Sequence, residues 1–321
     1  MNTTYRRFAA NFTRRIAKNF LTTLFQRKPK VEKVDLTRRF DLISQVGQGS
    51  MSNVWRAIDT MTGRPAAVKI LDMPKTRQLE SRFIGRNKPS EGFIAVQLNH
   101  PHIVRTYEYG ITTNNEQFLV MDFIDGVGLS YLVDVQNKVM KQNCLQFIIQ
   151  LGEAIEYFHK ENWIHRDICP RNVLIDLDNQ IKLIDFGLVV PNVADFHKPG
   201  NRTGTVNYMA PELIKRLKTD QRIDIFSYAV TCYEMYTRDL PWDAAESIDM
   251  LLQRINKRPT DIRELAADID GKVAETIMRG LKTHPSDRWS SVTKMLRNFR
   301  NALNRLRPPK TDEKDTTQRQ H

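Results

Sequence analysis

With 321 residues the chain is long enough to bury a sizeable core as one two-lobed unit or two domains. Its 40% apolar and 27% charged content is ordinary for a soluble protein, and no run of eighteen apolar residues is present to cross a membrane as a helix. The net charge of +12 is lopsided: residues 1–31 hold eight cations (Arg6, Arg7, Arg14, Arg15, Lys18, Arg27, Lys28, Lys30) and no acid, so the basic balance does not make the whole fold a nucleic-acid binder.

Residues 1–38 read as a segment of their own. Phe8, Phe12, Ile16, Phe20 and Leu24 recur every four residues with Arg and Lys between them. Three readings stay open: a basic amphipathic helix on an anionic membrane or a partner, through residues 1–30; a transit peptide; and a solvated tail whose periodicity is incidental.

From Phe40 the pattern turns to strand. Phe40–Val46, Asn53–Ile58, Ala66–Leu71, Ile103–Tyr109 and Gln117–Asp122 are separated by turn chemistry such as Thr62-Gly63-Arg64-Pro65. A single helix ending near Leu98 is expected to interrupt them. After Gly126 the rhythm is helical, with Leu145, Ile148, Leu151, Ile155 and Phe158 on one buried face, and Asp224–Met235 and Lys272–Leu281 read alike. The expected fold class is α+β, a small β-rich half followed by a larger helical one. Residues 307–321 read as a disordered tail.

The first chemical signal is Val46-Gly47-Gln48-Gly49 between the first two strands, running on to Ser52-Asn53-Val54. Glycines let backbone N–H groups approach phosphate oxygens, but an ordinary hairpin turn fits equally. Lys69 follows in an otherwise apolar strand, and a buried ammonium needs an anion. Glu91, on the expected helix, is the best partner; a solvent-reaching lysine and a solvated glutamate are the alternatives.

His165-Arg166-Asp167-Ile168-Cys169-Pro170-Arg171-Asn172 precedes Asp185-Phe186-Gly187 by a short hairpin, which brings Asn172 and Asp185 to one end of a strand pair. An amide oxygen beside a carboxylate is a hard-oxygen site suited to Mg²⁺. Asp167 is then free to hold a hydroxyl, the arrangement that phosphoryl transfer needs.

In this order, and with Ala210-Pro211-Glu212 downstream, the motifs resemble the protein kinase family over roughly residues 38–300. Gly204-Thr205-Val206-Asn207-Tyr208 is similar to the serine/threonine branch, and Ser52 in place of a third glycine is similar to bacterial members. The resemblance implies a bilobal kinase domain at 39–306, with lobes at about 39–122 and 126–306. It implies ATP and Mg²⁺ as cofactors, protein substrates and a cytoplasmic enzyme, membrane-associated only if residues 1–30 make it so, with no nucleic-acid partner. On the family pattern Val46, Gly47, Gly49 and Val54 cover the nucleotide, and Lys69 holds its phosphates. Met121 gates the adenine pocket, where the backbone of Asp122 and Ile124 meets the base. Asn172 and Asp185 hold the metal, and Asp167 orients the acceptor hydroxyl. Arg166 receives a phosphate on Thr203, Thr205 lies against Asp167, and Asp224 fixes the loop backbone at His165 and Arg166. Glu212 and Arg288 form a buried ion pair.

The chain departs from the pattern at Cys169, where serine/threonine kinases carry a lysine. Either Arg171 takes over that charge, or Arg171 points to solvent and catalysis is slow. Cys169 itself reads as a small packing residue or a redox switch. A kinase-fold scaffold without catalysis and a small-molecule phosphotransferase remain as alternative functions.

Overall fold

The computed structural model describes residues 33–48, 52–83, 85–200, 202–245, 248–255 and 257–306. The readings made on residues 1–32, on Gly49 and on residues 307–321 lie outside them.

A six-stranded sheet opens the fold. In sequence order its strands are β1 (Lys33–Val34), β2 (Phe40–Gln48), β3 (Ser52–Asp59), β4 (Pro65–Leu71), β5 (Thr106–Thr112) and β6 (Gln117–Met121), and in space the order is β1-β5-β6-β4-β3-β2. All neighbours are antiparallel except β1 with β5. Side chains of a strand alternate between faces. Ala66 and Val68 of β4 therefore join Phe118 and Val120 of β6 in an outer cluster with Leu36 and Phe40. Ala67 and Leu71, with Leu119 and Met121, face the main core. Lys69 shares that inner parity, so alternation alone sends its ammonium toward the cleft.

Three sequence readings change here. Lys33–Val34 pair with Ile111 and Thr112, and Leu36, on the short helix α1 (Leu36–Arg39), is buried. The end of the 1–38 segment thus belongs to the sheet, because Leu36 supplies apolar cover that Phe40 alone could not. Two helices, not one, interrupt the strands: α2 (Met73–Ser81), capped by Asp72, and α3 (Glu91–Ala95), capped by Ser90. Pro89 and positive-φ Gly85 and Asn87 fall between them and break what would otherwise be one helix. The strand expected at Ile103–Tyr109 starts at Thr106, since Ile103 and Val104 instead attach to Leu183.

The second lobe is mostly helical. It contains α4 (Leu129–Val135), α5 (Lys138–Lys160), α6 (Ala194–His197), α7 (Pro211–Ile214), α8 (Arg222–Thr237), α9 (Ile248–Arg254), α10 (Ile262–Leu265), α11 (Gly271–Gly280) and α12 (Val292–Leu306). Helix α8 is buried on nearly every side, which marks it as the axis on which the others pack. Five short strands edge the lobe: β7 (Gly126–Gly128), β8 (Trp163–Ile164), β9 (Val173–Asp176), β10 (Ile181–Leu183) and β11 (Val190–Pro191). The β9–β10 hairpin, with Val173 opposite Leu183, leaves Asn172 and Ile184 bonded at its open end. Among the described residues no helix is long and apolar enough to cross a membrane.

Arg288 locks α7 to α8. Its guanidinium is fully buried and bidentate on Glu212, with both N–O distances 2.7 Å. The remaining N–H groups donate to the carbonyls of Lys282, Thr283 and Arg222, so all five donors are used. Removing one member leaves the other charge buried and unpaired. Glu212→Ala should therefore lose about 3–5 kcal/mol of unfolding free energy, while Glu212→Leu combined with Arg288→Met should lose much less. Urea titrations of the three proteins decide it; equal losses would mean that packing, not charge, is what the pair supplies.

Candidate active site

A cleft of about 440 Å³ between the lobes is lined by Lys69, Glu91, Asp167, Arg171, Asp185, Thr203 and Thr205, among others. Lys69 Nζ lies 2.6 Å from Glu91 Oε1 and 3.0 Å from Asp185 Oδ1. Burial works against the Lys69 ammonium, but Asp185 and Glu91 outweigh it and raise the group above its ordinary value. Burial likewise opposes charge on Asp185, and Lys69 overcomes it, holding the carboxyl below its usual range. The anion that a lysine in an apolar strand requires is thus present twice.

Opposite stands the loop 165–172. The Asp167 carboxylate accepts from the backbone N–H of Thr205 at 2.7 Å and from Asn172 Nδ2 at 3.0 Å. Asn172 Nδ2 also donates to the Asp167 carbonyl at 2.8 Å. Both amide protons are then committed to oxygens, which leaves Asn172 Oδ1 as the atom turned away from them. Asp185 Oδ1 accepts from Lys69 and from the Gly187 N–H, and Oδ2 has no protein partner among the described residues. The two oxygens left over are of the hard type that Mg²⁺ prefers, so the donor set fits that ion.

Beneath the loop, the fully buried Asp224 accepts from the backbone N–H groups of His165 and Arg166, each at 2.8 Å, and meets His159 Nε2 at 2.9 Å. Arg166 has φ +72° and Asp185 φ +67°, unusual for residues with a Cβ. Gly204 has φ +119°, and a Cβ there would stand 2.8 Å from the Arg166 carbonyl, so only glycine lets the segment lie on the loop.

The other expected residues lie around this centre. Met121 is buried at the end of β6, and the Asp122 N–H bonds back to the Arg105 carbonyl. The Ile124 N–H and the Asp122 C=O have no partner among the described residues, a free donor and acceptor at the hinge between lobes. Val46 and Gly47 are the last residues of β2 before Gln48, and Val54 lies across from Gly47; none of these hinge and strand residues lines the cleft.

Arg166 Nη2 donates to Thr203 Oγ1 at 2.9 Å, and Thr203 is 2% exposed. Burial and the neighbouring Arg86 push the Arg166 guanidinium down to about 10, despite Asp224. Thr205 meets Asp167 through its backbone N–H only. Its hydroxyl instead faces Cys169 Sγ at 3.7 Å and Arg171 Nη2 at 3.4 Å.

The sequence pattern described as the protein kinase domain matches residues 40–299. The chain belongs to the protein kinase family. A probable serine/threonine-protein kinase of Clostridium acetobutylicum is 28% identical over 270 residues, 84% of this chain and 40% of that protein. The serine/threonine-protein kinase PknB of Mycolicibacterium smegmatis is 28% identical over 269 residues, 81% of this chain and 42% of that one. The human hormonally up-regulated neu tumor-associated kinase is 32% identical over 200 residues, 62% of this chain and 28% of that one. The chain therefore spans less than half the length of these relatives.

Within this kinase domain, sequence reasoning passed over His159, Arg86 and the bond from Tyr208 Oη to Glu234 Oε2 at 2.5 Å. His159 lies in the last turn of a long amphipathic helix, where a polar residue gives no signal of its own. The thiol of Cys169 is pushed up to about 11 by burial and by Asp167, which fits an inert packing group and speaks against a redox switch.

His165 is 1% exposed, and burial pushes its imidazole below the ordinary value although Asp224, Asp167 and Asp185 pull the other way. The unfolded chain therefore takes up a proton first as pH falls. Stability should be unaffected by this group above about pH 6.5 and decline below it, by up to about 1.4 kcal/mol per pH unit. His165→Asn should flatten that slope. Urea unfolding at pH 7.0, 6.0 and 5.5 measures both, and equal slopes in wild type and His165→Asn would show that His165 takes up its proton as readily in the fold as in the unfolded chain.

Proposed function

We propose that this chain is a serine/threonine protein kinase, transferring the γ-phosphate of MgATP to hydroxyls of proteins, itself included. One observation carries the reading: Lys69 bound to both Glu91 and Asp185 faces Asp167 bound to Asn172 and Thr205 across a single cleft. A phosphate-holding cation and a hydroxyl-holding carboxylate are assembled before any substrate arrives, which is the positioning on which phosphoryl transfer depends.

On this reading the adenine edge pairs with the free Asp122 C=O and Ile124 N–H beside Met121, and Val46, Gly47, Gly49 and Val54 close over the nucleotide. Lys69 holds the phosphates, with Glu91 as its clamp. Asn172 Oδ1 and Asp185 Oδ2 would hold Mg²⁺, which supplies charge neutralisation between the β- and γ-phosphates. Asp167 orients the acceptor hydroxyl and takes its proton as the oxygen bonds to the γ-phosphorus and ADP leaves. Arg171 reaches the same corner as the Cys169 thiol and replaces the missing ammonium opposite the γ-phosphate. The Thr203 hydroxyl, already on Arg166, is the acceptor for a regulatory phosphate once its segment lifts. Cys144, Cys169 and Cys232 are free and buried, which supports a reducing, cytoplasmic setting.

The test is phosphate transfer from radiolabelled MgATP to the protein and to a generic Ser/Thr substrate. Asp167→Asn should lower turnover roughly 10²–10⁴-fold while nucleotide binding persists. ATP binding without transfer in the wild type would make the chain a kinase-fold scaffold, the alternative that Cys169 favours. Arg171→Ala should cost roughly 10–100-fold in kcat, the worth of a charge-assisted hydrogen bond; unchanged turnover would return Arg171 to solvent. Peptide mapping of the active protein should find phosphate on Thr203, and full activity with Thr203 unmodified would remove it from regulation.

A further inference from the structure

The first lobe has an uncovered aromatic face beside the helix that carries Glu91. Phe93 on α3 is 46% exposed, and Tyr109 on β5 is 43% exposed. They form one neighbourhood. Gly92 packs so closely on the Tyr109 ring that a Cβ at position 92 would stand 2.5 Å from it, and Phe93 follows Gly92 on α3. Helix α3 is five residues long, too short to hold itself, so its position depends on what packs around it.

The edge of β5 is half used. Strand β1 pairs only with Ile111 and Thr112, so the backbone from Thr106 to Gly110 has no neighbour on that side among the described residues. Because β1 runs parallel to β5, the chain enters β1 from the Tyr109 end. Lys33, the first described residue, stands opposite Ile111 on that side of Val34.

What precedes it is the segment with Phe8, Phe12, Ile16, Phe20 and Leu24 at four-residue spacing. A helix over 8–24 would be about 25 Å long. The eight residues from Phe25 to Glu32 can span up to roughly 26 Å, enough to fold it back. We propose that residues 8–24 dock in cis as an amphipathic helix on Phe93 and Tyr109, turning their apolar stripe inward and their cations to solvent, and thereby steady α3 and Glu91. Continuity with the β1–β5 pairing favours this occupant over a membrane or a second molecule.

Hydrogen exchange read by mass spectrometry tests it on the full chain, wild type beside Phe93→Ser/Tyr109→Ser, with a form lacking residues 1–30 as a third sample. These side chains are exposed, so the doubly substituted protein should fold, and unchanged protection of α5 checks that it does. Docking predicts that peptides within 8–24 exchange roughly tenfold or more slowly in wild type than in the double variant. It also predicts that the α3 peptide exchanges faster in both altered proteins. Equal exchange of 8–24 in wild type and variant overturns the proposal. So does protection that appears only with phosphatidylglycerol vesicles, which would make the segment a membrane anchor, or protection lost on dilution, which would assign the face to a second copy.

Discussion

The buried carboxylate of Asp224 is the fixed point of this molecule. It sits in the first turn of a helix surrounded by core, with no solvent exposure, and its charge is satisfied by two backbone N–H groups and a histidine. Burial alone would neutralise it; these donors, His159 first, keep it ionised and below the usual range. In return Asp224 fixes a loop that contains a left-handed arginine, a conformation the loop would not hold unaided. Asp167 and Asn172 inherit their positions from that anchor. Both are thus placed by a charge that does not itself line the cleft.

The lobes are joined at the site by shared electrostatics. Glu91 comes from a helix of the first lobe, Lys69 from its central strands, and Asp185 from the hairpin end of the second. Lys69 bridges the two carboxylates, so the position of either acid affects the other through one ammonium. Glu91 also approaches the Phe186 N–H at 3.4 Å, a second link across the same boundary. Lys69 or Glu91 left alone would be a charge in a low-dielectric site, whereas the Asp185 side chain is 47% exposed and keeps contact with water.

Much of this was legible in the sequence, for physical reasons that can be named. The apolar face of α5 follows from periodicity over several turns, whereas α8, read alike as one-faced, is buried on nearly every side. Lys69 was conspicuous because an ammonium in an apolar strand demands an anion. Asn172 and Asp185 were brought together by the strand lengths of their hairpin. What escaped were contacts whose partners are remote in sequence and ordinary in type. Thr205 was expected against Asp167, yet its backbone rather than its hydroxyl makes the bond, a distinction of dihedral angle that no residue pattern encodes. The split of one expected helix into α2 and α3 was missed although Pro89 and Gly85 lay in view, because the segment around them is too short for a break to interrupt any clear rhythm. Leu36 went unrecognised as core because the basic run before it dominated the reading of that region.

Thr203 lies sealed against Arg166, and this sets a kinetic rule for any chemistry at its hydroxyl. No reagent or enzyme can reach that oxygen while the segment is docked, so each modification event must wait for the segment to lift. When lifting and redocking are fast, the observed rate is the intrinsic chemical rate multiplied by the fraction of time spent undocked. A side chain placed in this way acts as a clock. The pace of any modification at Thr203 would report the opening equilibrium of the segment, and a ligand that holds the segment down would slow that pace without touching the threonine.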